Sequence, residues 1–458
     1  MSTAKPKAMV EGNVALQIFL FTLPIMAGNF LQQLYNTVDG IVVGQFVSEA
    51  ALAAVGTSSP VTVLYIAMAV GLSTGSGIIV AQYFGAGKEK DLKDAVCTSM
   101  IMLLVLGIIF AVIGYLITWP LMKYVLAVPE AELSMAVLYL QIYCIGLVFQ
   151  FVYNIIAAIL RALGDSKATL YFLMVSSVAN IVLDLVFVAG FHMGVAGAAL
   201  ATVIAQGMSA LVSIIYMYKK YEVLRFTRET MVFSKEKCML ALRLGIPTTL
   251  QQCVISGGNI LLQRLVNSFG VEFMAGYTAG TRLESYLVIP SLGFTVGLAN
   301  FTGQNIGAGR FDRIKEGVRK TLLMSFSSCV VLVALALIFR TPLVALFGVK
   351  GEALQMGITY LLLASPCFLL FSVYQAACGV LQGAGDVMWT MFFSLSSLAA
   401  RVAIAYAIAS KVGYRSLPYA MLIAWIYVVI IAWLRYRNGK WKEKAIVSVS
   451  STNENVPK

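Results

Sequence analysis

The sequence predicts an all-α integral membrane protein whose twelve transmembrane helices form two similar six-helix lobes. Three observations carry this prediction: long apolar segments, an internal repeat, and a biased distribution of basic residues. Of the 458 residues, 60% are hydrophobic and only 12% are charged, whereas about 25% of a typical soluble protein is charged. Such a composition excludes a large water-soluble domain.

Apolar segments of about 20 residues are expected to cross the bilayer as helices, because a helix that rises 1.5 Å per residue then spans the hydrocarbon core. Each half of the sequence contains six of them. The predicted spans of the first half are 14–40, 52–82, 95–119, 134–160, 168–190 and 195–218. Those of the second half are 239–266, 273–305, 318–340, 353–380, 388–410 and 415–435.

Two motifs occur once in each half. AQYFGAG at 81–87 returns as GQNIGAG at 303–309, and LRALGD at 160–165 returns as LQGAGD at 381–386. The offset between the copies is 222 residues for the first motif and 221 for the second. A nearly constant offset over such a distance indicates a duplicated chain, and duplicated membrane bundles are typical of secondary transporters.

The repeat divides the chain into an N-terminal six-helix lobe (1–218), a basic cytoplasmic linker (219–237) and a C-terminal six-helix lobe with a cytoplasmic tail (238–458). With the N-terminus inside the cell, the cytoplasmic segments hold 25 of the 33 Lys and Arg residues, and the opposite loops hold five. The positive-inside rule then places both termini in the cytoplasm. We expect a multi-pass protein of the cytoplasmic membrane whose halves are parallel repeats. The net charge of +12 serves orientation and does not indicate nucleic-acid binding.

Charged side chains inside spans cost about 2.5–3.5 kcal/mol each on insertion scales and therefore indicate function. Asp39 ends the first span, and Asp184 lies within the fifth. Asn180 lies one helical turn before Asp184, and Tyr35 and Asn36 lie one turn before Asp39, so each group shares a helix face. We predict a polar pocket inside the N-terminal lobe.

The second half lacks these acids. Leu262 stands at the position of Asp39, and Ala405 stands at that of Asp184. A structural role as hydrogen-bond acceptor is one interpretation, but the symmetric scaffold alone needs no such carboxylates. Burial in an apolar bundle disfavours the charged form of a carboxyl group, which makes both Asp residues candidate proton-binding groups. Sodium is the competing ion, because hard cations prefer oxygen ligands.

The second half carries other charges within its spans. Arg282 and Glu284 lie about ten residues into the eighth span, and residues two apart on a helix do not face each other. Each is expected to have a partner elsewhere, either in an internal ion-pair network or on the substrate. Arg401 is expected to pair with an acidic group of the C-terminal lobe.

The GAG segments resemble a phosphate-binding loop but lack its pattern. Gln82 stands where the first Gly is required, and Glu89 follows Lys88 where Ser or Thr is required. We interpret both segments as tight cytoplasmic turns, with a hinge as the alternative; their residues are Gln82, Gly85, Gly87, Gln304, Gly307 and Gly309. The sequence has one histidine, His192, so a His-based metal cluster is excluded, and no cofactor is expected.

Several segments together resemble the multidrug and toxic compound extrusion (MATE) transporters. They are AQYFGAGKEKDL after the second span, GQNIGAGRFDRIKEG after the eighth, and LRALGD and LQGAGD after the fourth and tenth. The resemblance covers essentially the whole chain. It implies a V-shaped pair of six-helix lobes, alternating access, and export of cationic or amphipathic compounds in exchange for H⁺ or Na⁺. We expect the protein to act as a monomer.

The resemblance also bears on the coupling ion. Asp39 matches the membrane-embedded Asp of the family, and Asp184 with Asn180 matches the fifth-span residues of the DinF-type and archaeal branch. The sodium-coupled branch carries acidic residues in its seventh and tenth spans, and both spans lack them here. This departure favours protons over sodium.

Three other functions fit the sequence less well. A lipid-linked oligosaccharide flippase of a related fold would be expected to have extra spans or a strongly cationic cavity. A membrane receptor would be expected to carry a soluble signalling domain. An integral-membrane enzyme would need a nucleophile–base or metal constellation, which the sequence does not display. Export of small molecules remains the favoured function.

Overall fold

The computed structural model describes residues 9–46, 49–225 and 231–447. Side chains are described throughout these ranges except at residues 35–46, 49–53, 256, 257, 259 and 260. All regular secondary structure in the described part is helical.

The first half forms six long helices. They are α1 (Val14–Phe46), α2 (Glu49–Gly85), α3 (Glu89–Pro120), α4 (Glu130–Ala162), α5 (Ser166–Asp184) and α6 (Gly194–Lys220). The chain leaves α5 through a wider π-helical turn, Leu185–Gly190. Such turns occur frequently at functional sites.

The second half forms the corresponding spans from eight α-helices. They are α7 (Lys235–Asn267), α8 (Val271–Leu287), α9 (Ile289–Gly307), α10 (Phe311–Ile338), α11 (Arg340–Ala345), α12 (Gly351–Ala384), α13 (Val387–Val412) and α14 (Ser416–Arg437). The predicted eighth span is divided between α8 and α9 at Val288, since Pro290 is accommodated in the first turn of a new helix. The short α11 follows α10. The predicted number of spans is therefore reached in both halves.

The predicted linker is shorter in the structure than in the sequence-based division. Helix α6 continues to Lys220, and α7 already begins at Lys235. Residues 226–230 between them lie outside the described ranges. The start of α7 is tied to α3 by an ion pair between Lys237 Nζ and Asp91 Oδ1, at 2.8 Å.

Glycines let the second span of each half cross the first span of the other half at close range. A Cβ at Gly71 or Gly75 of α2 would overlap the backbone of α7, at Thr249 and Gly245 respectively. The pattern repeats where Gly293 and Gly297 of α9 meet side chains of α1. Small residues at a helix crossing allow this approach. The two lobes therefore meet through pseudo-symmetric crossings.

The Asp that ends each copy of the second repeated motif, LRALGD or LQGAGD, holds the last helix of its half. Asp165 accepts hydrogen bonds from Tyr216 (2.9 Å), Lys220 (2.9 Å) and Tyr221 (2.7 Å) at the end of α6. Its other oxygen accepts from the backbone N–H of Ala168 and caps α5. These bonds fix the junction of α4, α5 and α6.

Asp386 plays the same part in the second half with a different partner. Its Oδ2 accepts a hydrogen bond from Arg435 Nε in α14 and forms an ion pair with Arg435 Nη2, each at 2.8 Å. The Arg435 guanidinium also lies 4.9 Å from the centre of the Trp389 ring. Both described ends of the chain lie on the side of the molecule that carries these motifs, which we name the terminal face.

Candidate functional site: a central cavity and a buried aspartate–asparagine pair

A cavity of about 700 Å³ lies between the two lobes. Its size is within the range of small-molecule binding sites. Side chains of both lobes line it, and carboxamides and aromatic rings predominate among its polar and bulky groups. They are Asn29, Gln32, Gln150, Tyr153, Asn154, Gln251, Gln252, Asn300, Phe368, Phe371, Tyr374, Gln375, Gln382 and Trp425.

Hydrogen bonds fix part of this lining. Gln251 Nε2 donates to Ser394 Oγ at 2.7 Å, and the Tyr374 hydroxyl lies 3.2 Å from the same oxygen. Asn154 Nδ2 donates to the carbonyl of Gln150 at 2.8 Å. A wall of oriented amides and rings can contact many amphipathic compounds without demanding one shape.

On the side of the cavity towards the terminal face, Gln82 and Gln304 of the first repeated motif join the two halves, and we name this contact the seal. Gln82 Nε2 donates to the carbonyl of Gly383 at 3.0 Å, which joins α2 to α12 of the other half. Gln82 Oε1 accepts from the backbone N–H of Ile446 at 2.7 Å. The C-terminal tail is therefore bound to the first half of the molecule.

Gln304 repeats this arrangement in the opposite direction. Its Nε2 donates to the carbonyl of Ala162 at 2.8 Å, and its Oε1 accepts from the backbone N–H of Met9 at 2.6 Å. Asn305 Nδ2 and Arg313 Nη1 bind the same N-terminal segment, at the carbonyls of Met9 (3.1 Å) and Gly12 (3.0 Å). Each half thus binds the terminal segment that belongs to the other half.

The glycines of the GAG segments allow the two halves to touch at this seal. A Cβ at Gly85 would overlap the carbonyl oxygen of Gln304, and a Cβ at Gly307 would overlap that of Gln82. Gly87 and Gly309 have φ of 66° and 70°, the left-handed conformation that ends a helix in a tight turn. The predicted turns are present, and they also form the contact between the halves.

A buried aspartate–asparagine pair, Asp184 with Asn180, lies inside the first lobe, at the junction of α5 with its π-helical turn. Asp184 is 1% exposed and Asn180 is 2% exposed. With its amide oriented to satisfy both atoms, Asn180 donates to Asp184 Oδ2 at 2.7 Å and accepts from the backbone N–H of Thr202 at 3.3 Å. These contacts fix the pair between α5 and α6.

The other members of the predicted pocket, Tyr35, Asn36 and Asp39, lie on α1. Their side chains lie outside the described residues. Helix α1 packs along α5, which is the helix that carries Asp184. The polar pocket shared by Asp39 and Asp184 therefore stays a prediction.

The second lobe contains a different polar group. The Tyr360 hydroxyl donates to Glu284 Oε2 at 3.0 Å, and Arg401 interacts electrostatically with Glu284 and with Tyr277. Glu284 and Arg401 both line the cavity. For Arg282, the substrate-linked alternative stays a prediction. Its side chain is exposed, and it makes no ion pair or hydrogen bond within the described part of the chain.

The sequence-based prediction did not place Arg161 or Gln382 at the cavity. Arg161 was assigned to a loop after the fourth span, but α4 continues to Ala162 and Arg161 lines the cavity. Gln382, at the matching position of the second repeat, lines it too. The repeat itself was the available signal, because its two copies differ at this position in a motif that otherwise returns.

Comparison with known proteins agrees with this architecture. A family model described as MatE matches residues 24–186 and 247–407, one match in each half. The chain is 30% identical to the probable multidrug resistance protein YpnP of Bacillus subtilis, over 94% of this chain and 97% of that protein.

Solved structures share the fold. A crystal structure of a MATE protein in complex with MaL6 has a TM-score of 0.91 at 24% identity, covering 96% of this chain and 100% of that chain. The outward-facing conformation of a multidrug resistance MATE family transporter has a TM-score of 0.88 at 24% identity, covering 97% and 100%. Because the family model matches both halves and a relative is similar over nearly the whole length, this chain belongs to the MATE family of membrane transporters.

Proposed function

We propose that this protein exports cationic or amphipathic small molecules by antiport with protons, and that Asp184 binds the coupling proton. It acts as a monomer in the cytoplasmic membrane, and the terminal face is the cytoplasmic one. The observation that carries the proposal is the Asn180–Asp184 pair, which is almost fully buried inside one lobe and away from the lining of the central cavity.

The pair suits reversible protonation. Burial disfavours the charged form of a carboxyl group, while the Asn180 amide, 2.7 Å from Oδ2, stabilises the charged form by donating to it. The position at the end of a regular α-helix links the carboxyl group to a segment whose winding can change.

The proton gradient supplies enough free energy for export. One charge that crosses 100 mV releases about 2.3 kcal/mol. Because a tenfold concentration ratio corresponds to about 1.4 kcal/mol, one proton per molecule sustains a gradient of roughly 50-fold. Sodium is the alternative ion, and a site built on Asp39, Asn180 and Asp184 would present the oxygen ligands it prefers.

Alternating access follows from the seal. In the present conformation the two Gln residues of the GAG motifs close the cavity towards the terminal face. Breaking their bonds would open the cavity to the cytoplasm, where a compound enters before the seal re-forms. A lipid-linked oligosaccharide flippase is the rival function, but a cavity of about 700 Å³ suits small molecules better.

Transport in proteoliposomes tests the proposal, with a pH or sodium gradient imposed separately. We expect uptake of a fluorescent dye to follow the pH gradient. The Asp184→Asn variant should take up the dye at least about tenfold more slowly than the wild type while it still binds the dye. Asp312→Asn, at an exposed carboxyl group, is the matched control and should transport normally. Uptake driven by a sodium gradient alone would contradict the proton as the coupling ion. Full transport activity of Asp184→Asn would contradict Asp184 as the residue that binds it.

A further inference from the structure

Arg161 differs from the other charged residues of the cavity because it has no ionic partner. The described lining contains three side chains that are charged at neutral pH, Arg161, Glu284 and Arg401. Glu284 and Arg401 interact with each other, whereas Arg161 makes no ion pair or hydrogen bond to the described residues and interacts electrostatically with the Tyr153 ring hydroxyl alone. Its five N–H donors are therefore available to a ligand.

Arg161 lies at the floor of the cavity, directly above the seal. The next residue, Ala162, gives its carbonyl to Gln304. In the other lobe the lining residue Gln382 is followed by Gly383, which gives its carbonyl to Gln82. The two pseudo-symmetric positions thus form one floor, with a guanidinium on one side and a carboxamide on the other.

Asp165 lies four residues beyond Arg161, but it is bound by Tyr216, Lys220 and Tyr221. The acidic residues inside the spans stand far from this floor. Glu284 precedes the end of its span at Gly307 by 23 residues, which is about 35 Å along a helix axis. Asp184 is 18 residues from the start of α5 at Ser166, or about 27 Å. The backbone of α1 puts Asp39 25 residues beyond Val14, again about 37 Å from the terminal end of its helix. Among the described side chains, no carboxylate forms an ion pair with Arg161, and the nearby Asp165 is paired with Lys220 instead.

We propose that Arg161, assisted by Gln382, binds an anionic group of the transported compound, a carboxylate, sulfonate or phosphate. This inference rests on the proposed function, since it takes the central cavity as the substrate path. A guanidinium always carries its charge and offers two parallel N–H groups that match the two oxygens of an acid. The carboxamide of Gln382 supplies a further donor from the opposite lobe.

The consequence is a narrower substrate class. The preferred compounds are amphipathic molecules with an acidic group, including zwitterions that carry a cationic group as well. They bind with the acid at the floor and the remaining rings among the aromatic residues above, near Phe371 and Trp425. A purely cationic compound meets the uncompensated charge of Arg161 and binds less tightly.

Equilibrium dye binding by the purified full-length protein tests the site without any ion gradient. Rhodamine B carries a free carboxylate, and its ethyl ester is the same fluorophore without that charge. We expect fluorescence polarisation to show tighter binding of rhodamine B than of the ester. Arg161→Gln, which installs the residue of the second repeat, should weaken rhodamine B binding by about 10- to 100-fold and change binding of the ester by less than about threefold.

Further variants distinguish recognition of the acid from general damage. Arg161→Lys keeps the charge without the planar fork and should give an intermediate affinity for rhodamine B. Arg310→Gln, at an exposed arginine, should change neither affinity. Equal loss of both dyes in Arg161→Gln and Arg161→Lys, tighter binding of the ester by the wild type, or binding of neither dye would overturn the proposal. A failure of proton coupling alone would leave the dye preference intact, so the two proposals fail separately.

Discussion

The two lobes are most alike at the terminal face and least alike deep inside their helices. At the terminal face, Gln82 and Gln304 make the same pair of hydrogen bonds with exchanged partners. Deeper in the bundle, α5 ends at Asp184 in a π-helical turn, whereas α13 continues as a regular helix past the buried Ala405. Symmetry is kept where the lobes meet each other, and it is lost where we place ion binding.

The LRALGD and LQGAGD motifs show an intermediate case. Asp165 and Asp386 occupy the same place and hold the last helix of their own lobe. Asp165 shares its oxygen among two tyrosines and Lys220, whose side chain is 34% exposed. Asp386 forms a hydrogen-bonded ion pair with Arg435, whose side chain is 9% exposed. The repeat therefore conserves the position of an anchor and varies its chemistry, which lets equivalent variants in the two lobes be compared directly.

The largest expected difference is the loss of folding stability when Asp386 or Asp165 is replaced. Asp386→Asn leaves the buried Arg435 without its charge partner, and removing one member of a buried ion pair typically costs about 3–5 kcal/mol. Asp165→Asn should cost less, because water reaches Lys220 and the amide still accepts from the tyrosines. Apparent melting temperatures in detergent would measure the order. Asp312→Asn serves as the control, and equal losses in both lobes would contradict this reading of the repeat.

The second comparison concerns the glycines of the seal. Gly85→Ala and Gly307→Ala each put a methyl group against a backbone carbonyl of the other lobe, and such overpacking typically costs about 1–3 kcal/mol. Hydrogen–deuterium exchange should rise in the peptides around residues 82–90 and 304–312. Gly56→Ala, on α2 with no atom within 4 Å of the added Cβ, is the matched control. Unchanged exchange in both seal variants would show that the lobes are not held together there.

The third comparison concerns the two terminal segments. Gln82→Ala and Gln304→Ala each leave buried backbone groups without partners, at about 1–3 kcal/mol. The N-terminal segment keeps its bonds to Asn305 and Arg313, so exchange should rise more at Ile446 in the first variant than at Met9 in the second. Gln263→Ala, near the C-terminal end of α7, is the control and should change exchange at neither Ile446 nor Met9. A larger effect at Met9 would contradict the expected order.

The smallest expected effect is a pH dependence of the Asp165 anchor. Burial alone would raise the pKa of Asp165, but hydrogen bonds from Lys220, Tyr221 and Tyr216 outweigh burial and hold the pKa below its ordinary value. A lowered folded-state pKa adds stability above the unfolded value of about 3.9, and this stability is lost as the pH falls through the folded value. The difference in melting temperature between wild type and Asp165→Asn should stay constant from about pH 7 to 5 and shrink below about 4. A difference that shrinks above pH 5.5 would contradict the assignment.

The sequence by itself determined the spans, the duplication and the family. These properties depend on chain-local quantities, since a helix must satisfy its own backbone in lipid and a repeat is a matter of spacing. The same information singled out Asp184 and Asn180, because a charged residue in a 20-residue apolar segment is visible without any structure. It also identified the GAG motifs as turns, although their role as the contact between the lobes was not apparent.

Tertiary structure decided how distant segments combine. No local pattern could show that Gln82 binds Gly383 and Ile446, 301 and 364 residues away along the chain. The assignment of Arg161 to a loop was wrong for the same reason: whether the last residue of a span faces water or a cavity depends on how the opposite lobe packs. Helix periods and hydropathy describe one segment at a time, whereas the cavity and its seal exist only where two lobes meet.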